Sequence, residues 1–386
     1  MHRKISILSL ILIVVTCFPT SATVQAATPA AEPFAGQPLC LPNAFLLPPT
    51  GCMGYGPSAF LTSLAQQGIT LPLRPLPALA PDKSLVQMTE QWARINLDAT
   101  QPAPVYASLE DAIAGKPSRF IAPGRLRYVD YYSVKNTDQG RFVRLTTGEW
   151  MKAAPAAFSG FQGLEITATP RNPFGWILDT TQSRQAPALD APLTGKSYVQ
   201  YNVVQVYAVK TVNKTDWAMI GMNEWIERRL VRVVTPNPVA PKNVNGNRWI
   251  EINLQEQTMM IYDQNRLVFA TLIASGVKPF YTRPGLFQIF NKKPLETMSG
   301  AFEPDRSDYY YLENVPWTMY YDEDRAIHGA YWRTLFGYPQ SHGCVNLSPG
   351  DSNWVYAWAK QGDWVYVWDP SGQTPTDPSL YGSGGA

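Results

Sequence analysis

Ser341-His342-Gly343-Cys344-Val345-Asn346, preceded by Ile327-His328-Gly329, is the stretch on which the reading of this chain turns. The chain has three histidines, and His2 sits in an N-terminal leader. The other two, His328 and His342, both fall within sixteen residues of Cys344. An ordinary thiol is mostly protonated near neutrality, and a neighbouring imidazole can take its proton or stabilise the thiolate as imidazolium. Gly329 and Gly343 let backbone approach closely and can present N–H groups to a developing oxyanion. Metal binding is the rival use of Cys and His. It needs three or four ligands, which only Asp or Glu could complete here, so no metal and no other cofactor is expected.

Working outward, the residues before this stretch read as an antiparallel β-meander. Trp249-Ile250-Glu251-Ile252-Asn253-Leu254 alternates, with Ile250, Ile252 and Leu254 on one face. Gln255–Gln257 is a turn, Thr258–Tyr262 a second strand, Asp263–Arg266 a second turn and Leu267–Ser275 a third strand. Thr282-Arg283-Pro284-Gly285 is a further turn before Leu286–Ile289. Behind the cysteine, Ser348-Pro349-Gly350-Asp351 reads as a capping box opening a helix, with Trp354, Ala357 and Trp358 on its apolar face and Gly362 as its stop. Trp364–Trp368 is a closing strand. Asp322-Glu323-Asp324 reads as a solvated turn.

The histidine–cysteine stretch resembles the signature of the L,D-transpeptidase catalytic domain, and the resemblance extends over about 248–369. It implies a β-sandwich with one or two short helices. By position, it implies that Cys344 is the nucleophile and that His328 is the general base, oriented by the backbone carbonyl of Gly329. His342 would be a supporting imidazole, and the N–H groups of Gly343 and Cys344 an oxyanion hole. Ser341 and Asn346 would hold the loop or contact substrate. Trp332 would lie on the rim, and Met298 and Tyr311 would line the donor groove. The implied reaction joins peptidoglycan stem peptides: the thiol attacks a tetrapeptide stem, D-Ala leaves, and an amine acceptor resolves the thioester. With water as acceptor the same site is an L,D-carboxypeptidase. A non-catalytic cell-wall-binding protein is the alternative outside enzymology. Sortases place an essential arginine after the cysteine, and none follows Arg333 here. A thiol redox protein would need a second cysteine near Cys344, and there is none.

Upstream of the Pro-rich linker Thr235–Pro241 lies an internal repeat at an offset of 75. Arg127–Val134 matches Asn202–Val209, Phe142–Leu145 matches Trp217–Ile220, and Gly148-Glu149-Trp150 matches Asn223-Glu224-Trp225. Gly115-Lys116 and Gly195-Lys196 suggest a further pair of equivalent turns. Units of this size built from short strands resemble bacterial SH3-like modules. Two are expected, at 84–157 and 158–236, as small β-barrels that contact the cell wall or act as spacers. The fold class expected is therefore mainly β, two small barrels followed after a linker at 237–247 by the sandwich.

Residues 1–26 read as a secretory signal, with Arg3 and Lys4 before an apolar run too short to span a bilayer and small residues ending at Ala26. The expected location is exported, periplasmic or extracellular, with no membrane span in the mature protein. Removing the leader's two bases from 32 Lys+Arg leaves 30, against 30 Asp+Glu. A neutral chain with 16% charged residues argues against nucleic-acid binding through a basic face. Residues 27–83 read as a Pro-rich spacer in which Cys40 and Cys52 are the natural disulfide pair, leaving Cys344 unpaired. Residues 370–386, rich in Pro, Gly and Ser, read as a disordered tail.

Overall fold

The computed structural model describes residues 74–303 and 305–381. The expected signal at 1–26, the expected Cys40–Cys52 pair and most of the expected spacer lie outside the described residues. From Pro75 onward the chain forms one compact unit. After a short strand at Ala78–Leu79 and a 3-10 turn at Lys83–Val86 come β1 (Gln91–Arg94), helix α1 (Leu109–Ala114) and a meander of β2 (Leu126–Thr137), β3 (Gly140–Leu145) and β4 (Trp150–Lys152). A connecting strand, β5 (Leu164–Ile166), leads to β6 (Phe174–Ile177), β7 (Thr181–Arg184), β8 (Leu193–Tyr198) and β9 (Val203–Gln205). A second meander follows, β10 (Ala208–Val212), β11 (Thr215–Gly221) and β12 (Glu224–Glu227), and then β13 (Val231–Val234). The C-terminal part holds β14 (Trp249–Asn253), β15 (Thr258–Asp263), β16 (Arg266–Leu272), β17 (Gly285–Gln288), β18 (Asn291–Gly300), β19 (Tyr310–Asp322), β20 (Arg325–Gly329), β21 (Val345–Leu347), α2 (Pro349–Trp358) and β22 (Trp364–Trp368).

The repeat is carried in the strand register. Val134↔Val143, Lys135↔Phe142 and Thr137↔Gly140 in the first meander become Val209↔Ala218, Lys210↔Trp217 and Val212↔Thr215 in the second. Phe142↔Lys152, Val143↔Met151 and Arg144↔Trp150 become Trp217↔Glu227, Ala218↔Ile226 and Met219↔Trp225. Each pair is displaced by the same 75 positions. Gly148 and Asn223 occupy the equivalent turn position at φ 92° and 53°. Glycine and asparagine are the residues that tolerate this left-handed backbone. Trp150 is half-buried, and Trp225 is buried. The proposed pair of turns does not correspond: Gly115 caps α1, whereas Gly195 lies within β8.

The first repeat shares a sheet with the C-terminal domain. One edge of β19 carries β18. The other edge is divided end to end: Met319–Asp322 pairs with β20, and Tyr310–Leu312 pairs in parallel with Leu126–Tyr128 of β2. β1 extends the sheet beyond β2. The facing sheet runs from the short strand Ala78–Leu79 through β5, β16, β15, β14 and β22 to β17. The second repeat builds two sheets of its own that contain no C-terminal strand.

The sandwich core lies between the two large sheets. Ile250, Ile252, Met259, Ile261 and Phe269 from one meet Met319, Ile327, Val345 and Leu347 from the other, with Val355 of α2. Alternation in β14 correctly places Ile250, Ile252 and Leu254 in this core. Its other face is covered too: Trp249 and Tyr262 stack at 4.4 Å and pack with Phe161, Trp176 and Phe336. The linker Thr235–Pro241 lies against this layer, with Asn237 N–H donating to the Tyr262 hydroxyl at 2.9 Å. Helix α2 starts at the cap Ser348, whose Oγ accepts from Asp351 N–H at 3.2 Å. The Asp351 carboxylate reaches elsewhere: it accepts from Gly163 N–H at 2.8 Å and from the Thr271 hydroxyl at 2.5 Å. Of the segment expected as a tail, residues 370–381 are described. They carry a short 3-10 turn at Pro378–Leu380 and a Tyr381 hydroxyl donating to Pro375 O at 2.5 Å.

Candidate active site

Strands β20 and β21 run parallel, and their register sets Ile327 opposite Val345 and His328 opposite Asn346. One step earlier, Cys344 faces Ala326, whose N–H donates to the sulfur at 3.3 Å. Alternate strand residues share a face, so Ala326, His328, Cys344 and Asn346 lie together while Ile327 and Val345 enter the core. Cys344, the free cysteine of the described residues, is fully buried, as is His328. Burial pushes the Cys344 thiol up to about 12, against the Ala326 N–H and the Arg325 charge, which act to lower it. The thiol proton points to Asp324 O at 3.8 Å. Burial pushes His328 down to about 4. The pair therefore rests as neutral thiol and neutral imidazole.

His328 Nδ1 lies 3.1 Å from Gly329 O, and its Nε2 lies 3.1 Å from Asn346 Nδ2. The amide oxygen of Asn346 accepts from Arg333 Nε. Gly329 is required by close approach: a Cβ there would meet Ser352 Oγ of α2 at 2.5 Å and Pro316 Cγ at 2.9 Å. Ser341 staples the loop before the thiol. Its hydroxyl donates to Cys344 O at 2.5 Å and accepts from Gly343 N–H at 3.2 Å. Gly343 O in turn accepts from the Thr282 hydroxyl at 2.8 Å. At rest, then, the Gly343 N–H is occupied by Ser341 rather than open to an oxyanion.

His342 is half-buried and lines a cleft of about 780 Å³ with Phe280, Met298, Phe302, Tyr310 and Arg325. Its ring stacks on Phe302 at 4.9 Å and lies 4.8 Å from Phe280. Trp332 packs on the His328 ring at 5.6 Å. Tyr311 lies elsewhere: it packs against the core of the first repeat, and its hydroxyl donates to Glu313 Oε1 at 2.6 Å. The acidic turn is only partly solvated. Asp322 is buried and paired with both Arg283 and Arg325. Leu380 and Tyr381 also line the cleft, with Arg325 5.3 Å from the Tyr381 ring centroid. Sequence reasoning missed Arg325, Arg333 and the C-terminal segment. For Arg333 the signal was a lone charge in the spacer between the two motif halves. Among the described residues, no group of three or more His, Cys, Asp or Glu is placed to hold a metal.

Two further sets of contacts hold the site. Trp92 of β1 stacks on Tyr331 at 4.1 Å, and both donate to Glu313 O, at 2.9 and 2.7 Å. From the second repeat, the Tyr201 hydroxyl accepts from Phe336 N–H at 2.9 Å, and Arg232 Nε donates to Gly337 O at 2.9 Å.

The family model YkuD, L,D-transpeptidase catalytic domain, matches residues 247–367. No curated protein matches. Among solved structures, an L,D-transpeptidase of Enterococcus faecium is 26% identical over 32% of this chain and 50% of its own, with a TM-score of 0.29. An L,D-transpeptidase from Stackebrandtia nassauensis is 23% identical over 35% and 60%, with a TM-score of 0.27. One from Mycobacterium smegmatis is 16% identical over 55% and 93%, with a TM-score of 0.30. The chain spans about half the length of the first of these.

Proposed function

We propose that the chain is an exported cysteine acyltransferase of the peptidoglycan, a reading supported by the match of residues 247–367 to the YkuD L,D-transpeptidase catalytic domain. Cys344 attacks the carbonyl before the terminal D-Ala of a tetrapeptide stem. As the sulfur–carbon bond forms, His328 takes the thiol proton. It returns that proton to the departing D-Ala amine as the carbon–nitrogen bond breaks. An amine of a second stem then resolves the thioester and makes the cross-link. Water in its place gives the carboxypeptidase product. The observation that carries this reading is the shared face of β20 and β21, on which a buried thiol lies two residues along the strand pair from a buried imidazole. The neutral resting states favour proton transfer in concert with attack over a standing ion pair. In this reading His342 and Met298 border the bound donor, the leader at 1–26 exports the chain, and the repeats contact the wall. Among the described residues, no helix is long and apolar enough to cross a membrane.

The test is mass spectrometry of a defined tetrapeptide muropeptide incubated with the full chain, with and without an added amine. D-Ala release and a thioester mass on the protein are expected. Cys344→Ala should abolish both, a loss on the order of 10³-fold or more. Unchanged D-Ala release in that variant would overturn Cys344 as the nucleophile, and no release from the wild type would favour a wall-binding protein.

A further inference from the structure

We propose that Arg333 is a positioning residue of this site: through the Asn346 amide it holds His328 as the neutral imidazole with a bare Nε2, the form a general base needs. The proposal rests on His328 being the base in the reading above. A guanidinium has only donors. The Asn346 atom that meets Arg333 Nε is therefore Oδ1. This choice leaves Nδ2 facing the imidazole, 3.1 Å from Nε2. A donor against Nε2 requires Nε2 to accept. The ring proton then sits on Nδ1, where Gly329 O receives it at 3.1 Å. Reversing the amide would break the chain at both ends. Nδ2 would face a guanidinium N–H, donor against donor, and Oδ1 would call for a proton on Nε2.

Arg333 is anchored on its far side. Nη2 donates to Gln340 O at 2.6 Å, and Nη1 lies 3.4 Å from Gln340 Oε1. Among the described residues it has no carboxylate partner, and its charge acts against an imidazolium at His328. Both effects favour the same protonation state. A lysine could supply the charge but not the fork that spans Asn346 and Gln340. The resting contact also means that Asn346 must yield Nε2 before the thiol can use it.

The readout is the imidazole tautomer in the full chain carrying isotope-labelled histidine, observed by long-range proton–nitrogen correlation at neutral pH. The His328 signals are identified by their loss in His328→Gln. The wild type should show a protonated Nδ1 and a bare Nε2. Arg333→Met should bring a proton to Nε2 and lower kcat for D-Ala release by about 10²-fold, with KM within about 2-fold. Arg333→Lys should leave the tautomer closer to Arg333→Met than to wild type, and Arg333→Gln carries the same comparison if the methionine variant does not fold. A protonated Nε2 in the wild type would overturn the proposal, as would a wild-type tautomer in every folded variant. The spectrum is taken without substrate. Absence of D-Ala release from wild type would therefore strike the functional reading and not this assignment.

Discussion

The two repeats share one register and meet the C-terminal domain in different ways. In the first, β2 runs on past its meander and lays Leu126–Tyr128 along the edge of β19, joining the two parts by backbone. Glu313 Oε2 accepts from Asp130 N–H at 2.8 Å, and Asn314 Nδ2 donates to Asp130 Oδ2 at 2.8 Å. In the second, backbone pairing is confined to β5 on β16 upstream of the repeat, and the rest is side-chain contact: Tyr201 and Arg232 hold the loop at Phe336 and Gly337, Tyr338 reaches Asp179, and Arg228 pairs with Glu256. The difference teaches that a repeat specifies its own hairpins and not its docking. A sheet extension constrains the strand it joins, whereas a side-chain clamp constrains only the loop it touches.

Paired truncations test that difference most severely. Trp92 and Trp217 are both buried, and Trp92→Ala or Trp217→Ala should each cost about 3–5 kcal/mol. Trp92→Ala removes the platform under Tyr331, so alkylation of Cys344 and the calorimetric transition of the whole unit should change together. Trp217→Ala should leave Cys344 alkylation near wild type. Equal damage to Cys344 from both would break the comparison.

Acidity should divide the repeats next. Burial holds Glu313 and Asp130 above the ordinary carboxylate range. Burial opposes ionisation of Glu224 as well, but bonds from Lys196, Tyr198 and Ser183 outweigh it and hold that carboxyl low. A raised carboxyl favours the folded state at low pH, and that advantage fades as pH rises from the unfolded pKa through the folded one. A lowered carboxyl contributes above its unfolded pKa and loses that contribution as pH falls through its folded one. Amide exchange of 126–145 should therefore slow relative to 208–227 as pH is lowered from 7 to 4, after correction for intrinsic rates. The opposite trend would contradict the assignment.

Smaller changes sharpen the picture. Tyr201→Phe removes one acceptor from the loop and should cost about 1 kcal/mol in denaturant titration, with a rise in KM larger than any fall in kcat. Gly148→Asn copies Asn223 into the first repeat and should cost under about 1 kcal/mol, whereas Gly148→Val should cost about 1–2 kcal/mol by the same titration.

What the sequence made legible was local. The meander from Trp249, the Ser348 cap and the 75-residue repeat each depend on neighbours close in the chain, and their residue patterns record that. The histidine–cysteine stretch was legible for the same reason, since β20 and β21 bring its two halves together as adjacent strands. Docking of β2 on β19 joins residues more than 180 positions apart. Its trace was the run of buried positions Arg127–Tyr131, where charged residues occupy an interior that alternation would have assigned outward. Arg333 was hidden because its meaning comes from an amide thirteen residues away, and Asp322 because Arg283 arrives from another strand connection.

The divided edge of β19 has a practical consequence for handling the protein in pieces. A fragment cut at the start of the YkuD match would leave Tyr310–Leu312 with bare N–H and C=O groups and an empty slot where Trp92 sits. Such an edge is a template for any extended chain in solution. The isolated C-terminal fragment should self-associate through it, and solubility should return when the segment from Gln91 is retained.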